Sequence, residues 1–323
     1  RPLLADPALV HKLFREQEAC IRPCISCQEG CMGRLTKFLH ISCAVNPAAA
    51  RERELALESA KTPRRVAVLG GGPAGCEAAR VLALRGHRPE IFEAARQLGG
   101  NLHPASAPDF KEDERQLIRW YQRQLEQLAV PVHLNTHLTP ETLPQDFDVY
   151  LVATGSTPRK LDLGAGIPVV TAAQVLEGGC ATQGPYVIVG GGLVGCETAL
   201  MLAQRGDQVS IVEGLPQLLG QNGPICHANA QMLKDLIAFH QIPVYTGSAA
   251  AEVDEAGLFV TKDGSRRHIP AGTVVLSIGY RPESGLYDAL LAQGKEAYRL
   301  GDARQVANIM YAVWDAYEVA RSL

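Results

Sequence analysis

The chain has 323 residues, 46% of them hydrophobic and 20% charged, a length that suggests two domains. That apolar content excludes a disordered chain, and no apolar run reaches the ~18 residues that a membrane-crossing helix needs. The net charge is −3, from 31 Lys+Arg against 34 Asp+Glu with no long basic run, which speaks against a nucleic-acid partner held through its phosphates.

The chain opens on RPLLADPALVHKLF. Asp6, His11, Lys12, Arg15, Glu16 and Glu18 leave no room for a signal peptide in the first twenty residues, so a cytoplasmic location is expected. Arg1 stands where a Met would begin a gene product, which suggests that something is missing upstream. Nine cysteines follow, and five of them fall together: Cys20, Cys24, Cys27, Cys31 and Cys43. A secreted disulfide scaffold would spread them more evenly through a shorter chain. The spacing Cys24-x2-Cys27-x3-Cys31-x11-Cys43 offers four thiolates with no histidine at ligand spacing, which suits structural zinc or a [4Fe–4S] cube. A zinc ribbon pairs two Cys-x2-Cys knuckles. Here one tight loop supplies three ligands and the fourth returns from a distance, the arrangement of a cube.

The middle of the chain repeats itself at a shift of 120 residues. VAVLGGGPAGCEAARVLALRG (66–86) matches YVIVGGGLVGCETALMLAQRG (186–206), and each copy is followed by an acid 23 residues after its first Gly, Glu93 and Glu213. Two such G-x-G-x-x-G copies, each in a β–turn–α–β setting, read as dinucleotide-binding turns. Gly70 and Gly190 make the turn out of the strand. Gly72 and Gly192 let a pyrophosphate approach the helix N-terminus, and Gly75 and Gly195 allow close helix–strand packing. Glu93 and Glu213 would accept hydrogen bonds from a ribose. After Glu93 comes AARQLGGNL, where Gly99 and Gly100 bring backbone close to a longer ligand, which suits the ADP half of FAD. After Glu213 no Arg or Lys occurs until Lys234, so NAD(H) is expected there rather than NADP(H).

Between and after the fingerprints, DERQLIRWYQRQLEQLA (113–129) has helical period, and DVYLVATGSTPR (148–159) reads as a buried strand ending in a Gly turn. VVLSIGYRPE repeats that pattern at the close of the second unit. The final YRLGDARQVANIMYAVWDAYEVARSL reads as a strand, a Gly301-Asp302 turn and a helix that starts there with its N-terminus toward a flavin.

Together these elements resemble the C-terminal half of the 2,4-dienoyl-CoA reductase and trimethylamine dehydrogenase group, within the old yellow enzyme superfamily. The resemblance is carried in order by RPLLADP, the cysteine stretch with AVNP after it, the first fingerprint with EAARQLGGNL, VATGSTPR, the second fingerprint and LGDAR, and it spans essentially the whole chain. It implies an α/β fold of two nested dinucleotide-binding (Rossmann-like) domains of the two-dinucleotide-binding flavoprotein type, preceded by an iron–sulfur cluster segment. Residues 1–61 would be a barrel-end remnant with the cluster segment, 62–168 plus 281–323 an FAD domain, and 169–280 an NAD(P)(H) domain.

Carried over by position, the resemblance places FAD against Gly70, Gly72, Pro73, Ala74, Gly75, Glu93, Gly100, Asn101, Leu138, Ala153, Thr154, Gly155, Gly301 and Asp302. Asn101 stands where such reductases often carry Gln. NAD(H) would meet Gly190, Gly192, Leu193, Val194, Gly195, Glu213 and Gly279, and Cys24, Cys27, Cys31 and Cys43 would hold the cluster. Relatives also carry an N-terminal (β/α)8 barrel that binds FMN and substrate, and RPLLADPALVHKLF resembles its last strand and helix. The barrel is expected upstream in the same polypeptide or in a separate subunit, with an oligomeric assembly and no nucleic-acid or membrane partner. The implied route runs from NADH through FAD and the cluster to FMN, where an enoate or enoyl-CoA type substrate is reduced. No catalytic side chain is expected in this portion, because the redox chemistry belongs to the cofactors. The alternatives are electron outflow, as in amine dehydrogenases or demethylases with FAD or ADP held structurally, and a zinc-stapled scaffold without redox activity. A thiol relay is not expected. Gly99-Gly100 leads into Asn101-Leu102-His103 rather than a cysteine pair, and Cys76 and Cys196 read as small packing residues.

Overall fold

The computed structural model describes residues 2–220 and 225–323. It divides into two units: unit 1 takes the chain up to His103, then Glu112–Thr157 and Pro282–Leu323, and unit 2 takes Pro104–Lys111 and Pro158–Arg281.

Unit 1 is built on a parallel five-stranded sheet. Its strands are β1 (Arg65–Leu69), β2 (Arg88–Phe92), β3 (Val132–His133), β4 (Val149–Val152) and β15 (Ala297–Arg299), in the order β15-β4-β1-β2-β3. β1 and β4 are nearly continuous apolar runs because both faces of a parallel sheet are covered. The helices of this unit are α1 (Pro2–Ala5), α2 (Leu9–Phe14), α3 (Met32–Leu35), α4 (Pro73–Leu84), the first half of α5 (Leu102–Ala105), α6 (Glu112–Gln127), α10 (Gly285–Ala292) and α11 (Ile309–Ser322). Leu117, Trp120, Tyr121 and Leu125 bury one side of α6, and Val313, Ala316, Tyr317 and Ala320 one side of α11.

Unit 2 repeats the plan. Strands β6 (Val169–Thr171), β7 (Tyr186–Val189), β8 (Val209–Glu213), β9 (Val244–Thr246) and β13 (Thr273–Leu276) pair in the order β6-β13-β7-β8-β9, all parallel. Its helices are α7 (Ala172–Leu176), α8 (Leu193–Gln204) and α9 (His227–Phe239). An antiparallel sheet of β10 (Ala249–Val253), β11 (Gly257–Lys262) and β12 (Ser265–Pro270) is added. The short strands β5 (Ser156–Pro158) and β14 (Tyr280–Pro282), where the chain crosses between units, pair with each other.

The α/β class with two Rossmann-like repeats, read from the sequence, is therefore the architecture observed. The structure differs from the sequence reading in two places, the opening residues and the start of the last helix. Ala5, Ile25, Ala44, Val45 and Leu55 share one core with Val66, Val68 and Leu82. Trp120 Nε1 donates to the Cys20 carbonyl at 3.1 Å and Tyr317 Oη to the Leu55 carbonyl at 2.6 Å, fixing that segment to α6 and α11. The opening residues form two short helices and no strand among those described. The C-terminal helix does not start at Gly301-Asp302. A 3₁₀ turn covers Gly301–Ala303, and α11 begins only at Ile309, where Asn308 Oδ1 accepts from Tyr311 N and caps it.

Candidate functional site

In unit 1, β1 leads into Gly70, whose φ is +107°, and α4 begins at Pro73. The third fingerprint glycine is required by contact: a Cβ on Gly75 would lie 1.9 Å from the Gly70 carbonyl oxygen. Gly71 is required too, since a Cβ there would lie 2.3 Å from Leu98 Cδ2. Gly72 is different. A Cβ at Gly72 would meet only Gly100 Cα, at 4.0 Å, so the protein itself leaves room there. No side chain caps α4 and Pro73 has no N–H, so the first amides at the positive end of the helix are those of Ala74 and Gly75. An uncapped N-terminus beside open room is the cradle that a pyrophosphate fits.

Glu93 follows β2 directly and is 8% exposed. Its Oε2 accepts from Gly71 N at 2.6 Å and its Oε1 from Ala95 N at 2.7 Å, so each oxygen keeps acceptor capacity for a hydroxyl. A chain of polar contacts joins residues that are far apart in sequence. Asn101 Nδ2 donates to the Ser156 carbonyl at 3.1 Å, and Ser156 Oγ donates to Asp302 Oδ2 at 2.8 Å. Thr154 Oγ1 donates to the Glu283 carbonyl at 2.5 Å. Gly301 comes against the first turn of α4, where a Cβ would lie 3.0 Å from that of Ala74. Ala153 closes on the Gly70 turn, its carbonyl oxygen 2.3 Å from where a Gly70 Cβ would be. Gly155 faces open space, and Leu138 packs against the core cluster that holds Leu69, Tyr150 and Val152. Ser156, Glu283 and Leu98 were not singled out in the sequence. Only Leu98 had a signal, its counterpart Leu218 in the repeat.

Unit 2 reproduces this geometry. Gly190 has φ +109°, and a Cβ on Gly195 would lie 1.9 Å from the Gly190 carbonyl oxygen. Glu213 Oε2 accepts from Gly191 N at 2.5 Å and Oε1 from Leu215 N at 2.7 Å. Leu218 Cδ2 lies 2.4 Å from where a Gly191 Cβ would be. Gly192 caps α8 through backbone alone, and Leu193 and Val194 form its first turn. Gly279, with φ +91°, leaves open space, and its carbonyl accepts from Arg159 N at 2.9 Å. Lys262 supplies a cation that no reading of the sequence after Glu213 could show. It comes from β11, its Nζ 3.8 Å from where a Gly247 Cβ would sit, and Gly247 N donates to the Leu215 carbonyl just past Glu213.

Cys24, Cys27, Cys31 and Cys43 line one small cavity together with Leu4, Gly30 and Val45. Gly30 permits the fourth thiol to arrive, since a Cβ there would lie 2.9 Å from Cys43 N and Cα. Ser42 N and Oγ both donate to the Gly30 carbonyl, at 2.7 and 3.0 Å. Burial pushes the Cys27 thiol up to about 12, with Cys43 and Cys31 close enough to add to the effect, and burial also raises Cys43. Among the described residues, no three His, Cys, Asp or Glu side chains converge as a single metal ion requires. Cys20 stands apart, with its Sγ accepting from Gln127 Nε2. Cys76 and Cys196 are buried, donate to the Gly71 and Gly191 carbonyls, and have thiols raised by desolvation, which suppresses thiolate chemistry. His103 Nε2 pairs with the Leu98 carbonyl at 2.8 Å, and no described helix is long and apolar enough to cross a membrane.

The family model for pyridine nucleotide-disulphide oxidoreductases matches residues 64–313, leaving the cysteine segment outside the match. The chain is 45% identical to cinnamate reductase of Clostridium sporogenes, over 100% of its own length and 49% of the relative's. It is 36% identical to an NADH oxidase of Thermoanaerobacter brockii, over 99% of its own length and 50% of the relative's. A solved 2-naphthoyl-CoA reductase superposes with a TM-score of 0.92 at 26% identity, over 100% of this chain and 50% of that one. The chain thus spans about half the length of the curated relatives it matches.

Proposed function

Because the chain belongs to the pyridine nucleotide-disulphide oxidoreductase family, we propose that it is an electron-input module. In this reading electrons pass from NADH via FAD and a [4Fe–4S] cluster to an FMN-bearing (β/α)8 barrel that reduces an enoate or enoyl-CoA type substrate. The class of activity is that of an NAD(P)H-dependent flavoprotein oxidoreductase. The resemblance drawn from the sequence, to one half of a two-part reductase, holds against relatives about twice its length. The observation that carries the reading is the pair of turns closed by Glu93 and Glu213, each beside an uncapped helix. The enoate class rests on the cinnamate reductase and 2-naphthoyl-CoA reductase likenesses.

The roles follow from position. Gly72, Gly100 and the Ala74 and Gly75 amides would receive the FAD pyrophosphate, with Glu93 on the ribose. The Asn101–Ser156–Asp302 chain and the Gly301 turn would border the flavin. Gly192, Val194 and Glu213 would take the corresponding parts of NADH, with Gly279 toward the nicotinamide. Bound flavin supplies the exchange between two-electron donors and one-electron acceptors. Four thiols that line one small cavity form a donor set that a cube or a tetrahedral zinc would use, and the ligand spacing in the sequence favours the cube. Their protons must leave on assembly, since thiolate is the ligand form.

Anaerobically purified protein should show flavin absorbance with a broad iron–sulfur shoulder near ~400 nm, both bleached by NADH. Colourless protein that retains zinc would end this reading, and bands that ignore both NADH and NADPH would transfer support to electron outflow. A second expectation concerns the adenosine end. Glu213→Gln keeps only one acceptor for Gly191 and Leu215 and should raise the NADH concentration for half-maximal flavin reduction about tenfold or more. Lys262→Met should impair reduction by NADPH more than by NADH. Equal effects on both nucleotides would remove Lys262 from the site.

A further inference from the structure

Helix α11 holds two adjacent residues that reach the two cofactor-facing parts of unit 1. Asp315 Oδ2 accepts from Gly301 N at 2.8 Å and so anchors the turn that abuts Ala74 at the first fingerprint. One residue earlier, the Trp314 indole N–H donates to the Cys43 carbonyl at 2.9 Å. The Arg51 guanidinium lies 4.5 Å from the centre of the indole ring, and its Nη2 donates to the Pro47 carbonyl at 3.1 Å. Trp314 is therefore held from one side while it holds Cys43 from the other.

Cys43 needs such an anchor. Eleven residues separate it from Cys31, and that stretch presents Leu35, Phe38 and Leu39 to solvent rather than to a core. The Ser42–Gly30 contacts fix its N-terminal side, and Trp314 fixes its carbonyl. Residues that hydrogen-bond a ligand, or the backbone that carries it, set its orientation and tune the metal it binds.

We propose that Trp314 is a positioning residue for electron transfer: it fixes the fourth cysteine of the cavity and, through the neighbouring Asp315 anchor, registers that cavity to the flavin-side turn. The inference rests on the FAD and cluster assignments above. In the step it serves, one electron leaves reduced flavin and one enters the oxidised cluster. No atom is transferred, and Trp314 itself is neither oxidised nor reduced.

Trp314→Phe keeps a ring beneath Arg51 and deletes the N–H. In the anaerobic holoprotein the variant should retain flavin and be bleached by NADH at the flavin band as fast as wild type. Bleaching of the cluster band should slow about tenfold or more, and the electron paramagnetic resonance spectrum of the reduced cluster should shift. A variant with wild-type cluster spectrum and kinetics overturns the proposal. Wild-type protein that binds no iron overturns the cluster assignment together with it, which separates the two failures. If Trp314→Phe does not hold flavin, Arg51→Gln is measured in the same way, because it leaves the indole and removes the cation stacked on it. A shifted cluster spectrum then supports the proposal, and an unchanged one overturns it.

Discussion

Arg80→Met is expected to destabilise unit 1 by about 3–5 kcal/mol, a large share of the 5–15 kcal/mol that holds a typical domain together. Arg80 lies on α4 and makes two bonds to Glu77 one turn away, Nη2 to Oε1 at 2.7 Å and Nε to Oε2 at 2.9 Å. The Glu77 side chain is 0% exposed and that of Arg80 is 7% exposed. Removing the guanidinium leaves a carboxylate that water cannot reach with only the charge of Arg22 nearby, so much of its desolvation is uncompensated. Methionine fills much of the same volume, so the loss reads the charge and not a cavity. The control is the double variant Glu77→Gln/Arg80→Met, which takes away both charges and should recover most of the loss, since a buried pair is worth little against well-packed neutral groups. Calorimetric unfolding of both variants checks this. Equal destabilisation in single and double variants would show that packing near Trp120, and not the ion pair, carries the effect.

The same repeat position shows what the sequence could and could not reveal. Glu77 and Glu197 occupy equivalent places in the two fingerprints. In the first copy Arg80 follows three residues on, whereas Leu200 stands there in the second. Glu197 therefore finds its partner elsewhere, Lys111 Nζ at 2.6 Å, although burial still dominates and raises its carboxyl. That partner lies in the stretch 104–111, which belongs to unit 2 although the chain on either side of it belongs to unit 1. Local spacing made the fingerprints and the strands around them legible, because each is forced by contacts within a short loop. The polar chain through Ser156, the Glu283 carbonyl at Thr154 and the Trp314–Cys43 bond join residues 55 to 271 apart in sequence. No periodicity carries that information. The late start of α11 was missed for a related reason: Asp302 spends its oxygens on Ser156 Oγ and Ala307 N, so the turn closes on itself and Asn308 makes the cap.

Two neighbouring glycine substitutions should separate folding from cofactor binding. Gly75→Ala puts a Cβ 1.9 Å from the Gly70 carbonyl oxygen, backbone against backbone, in the closest packing of helix on strand. No rotamer relieves it, so roughly 3 kcal/mol or more of stability should be lost, and flavin with it. Gly72→Ala meets no such obstacle. Its φ of −70° and ψ of −177° are extended values open to any residue, and its nearest neighbour would be Gly100 Cα at 4.0 Å. The apoprotein should unfold at the wild-type temperature or slightly above it, because alanine has fewer unfolded conformations to lose. The added methyl instead projects into the space at the head of α4, and flavin affinity should fall by about tenfold or more, the equivalent of about 1–3 kcal/mol of overpacking against a bound phosphate. Flavin-to-protein ratio after dialysis and apoprotein thermal unfolding, read side by side, decide it. A Gly72→Ala protein that keeps its flavin would mean that the room above Gly72 is not where the nucleotide lies. A Gly72→Ala protein as unstable as Gly75→Ala would mean that the glycine there serves the fold after all.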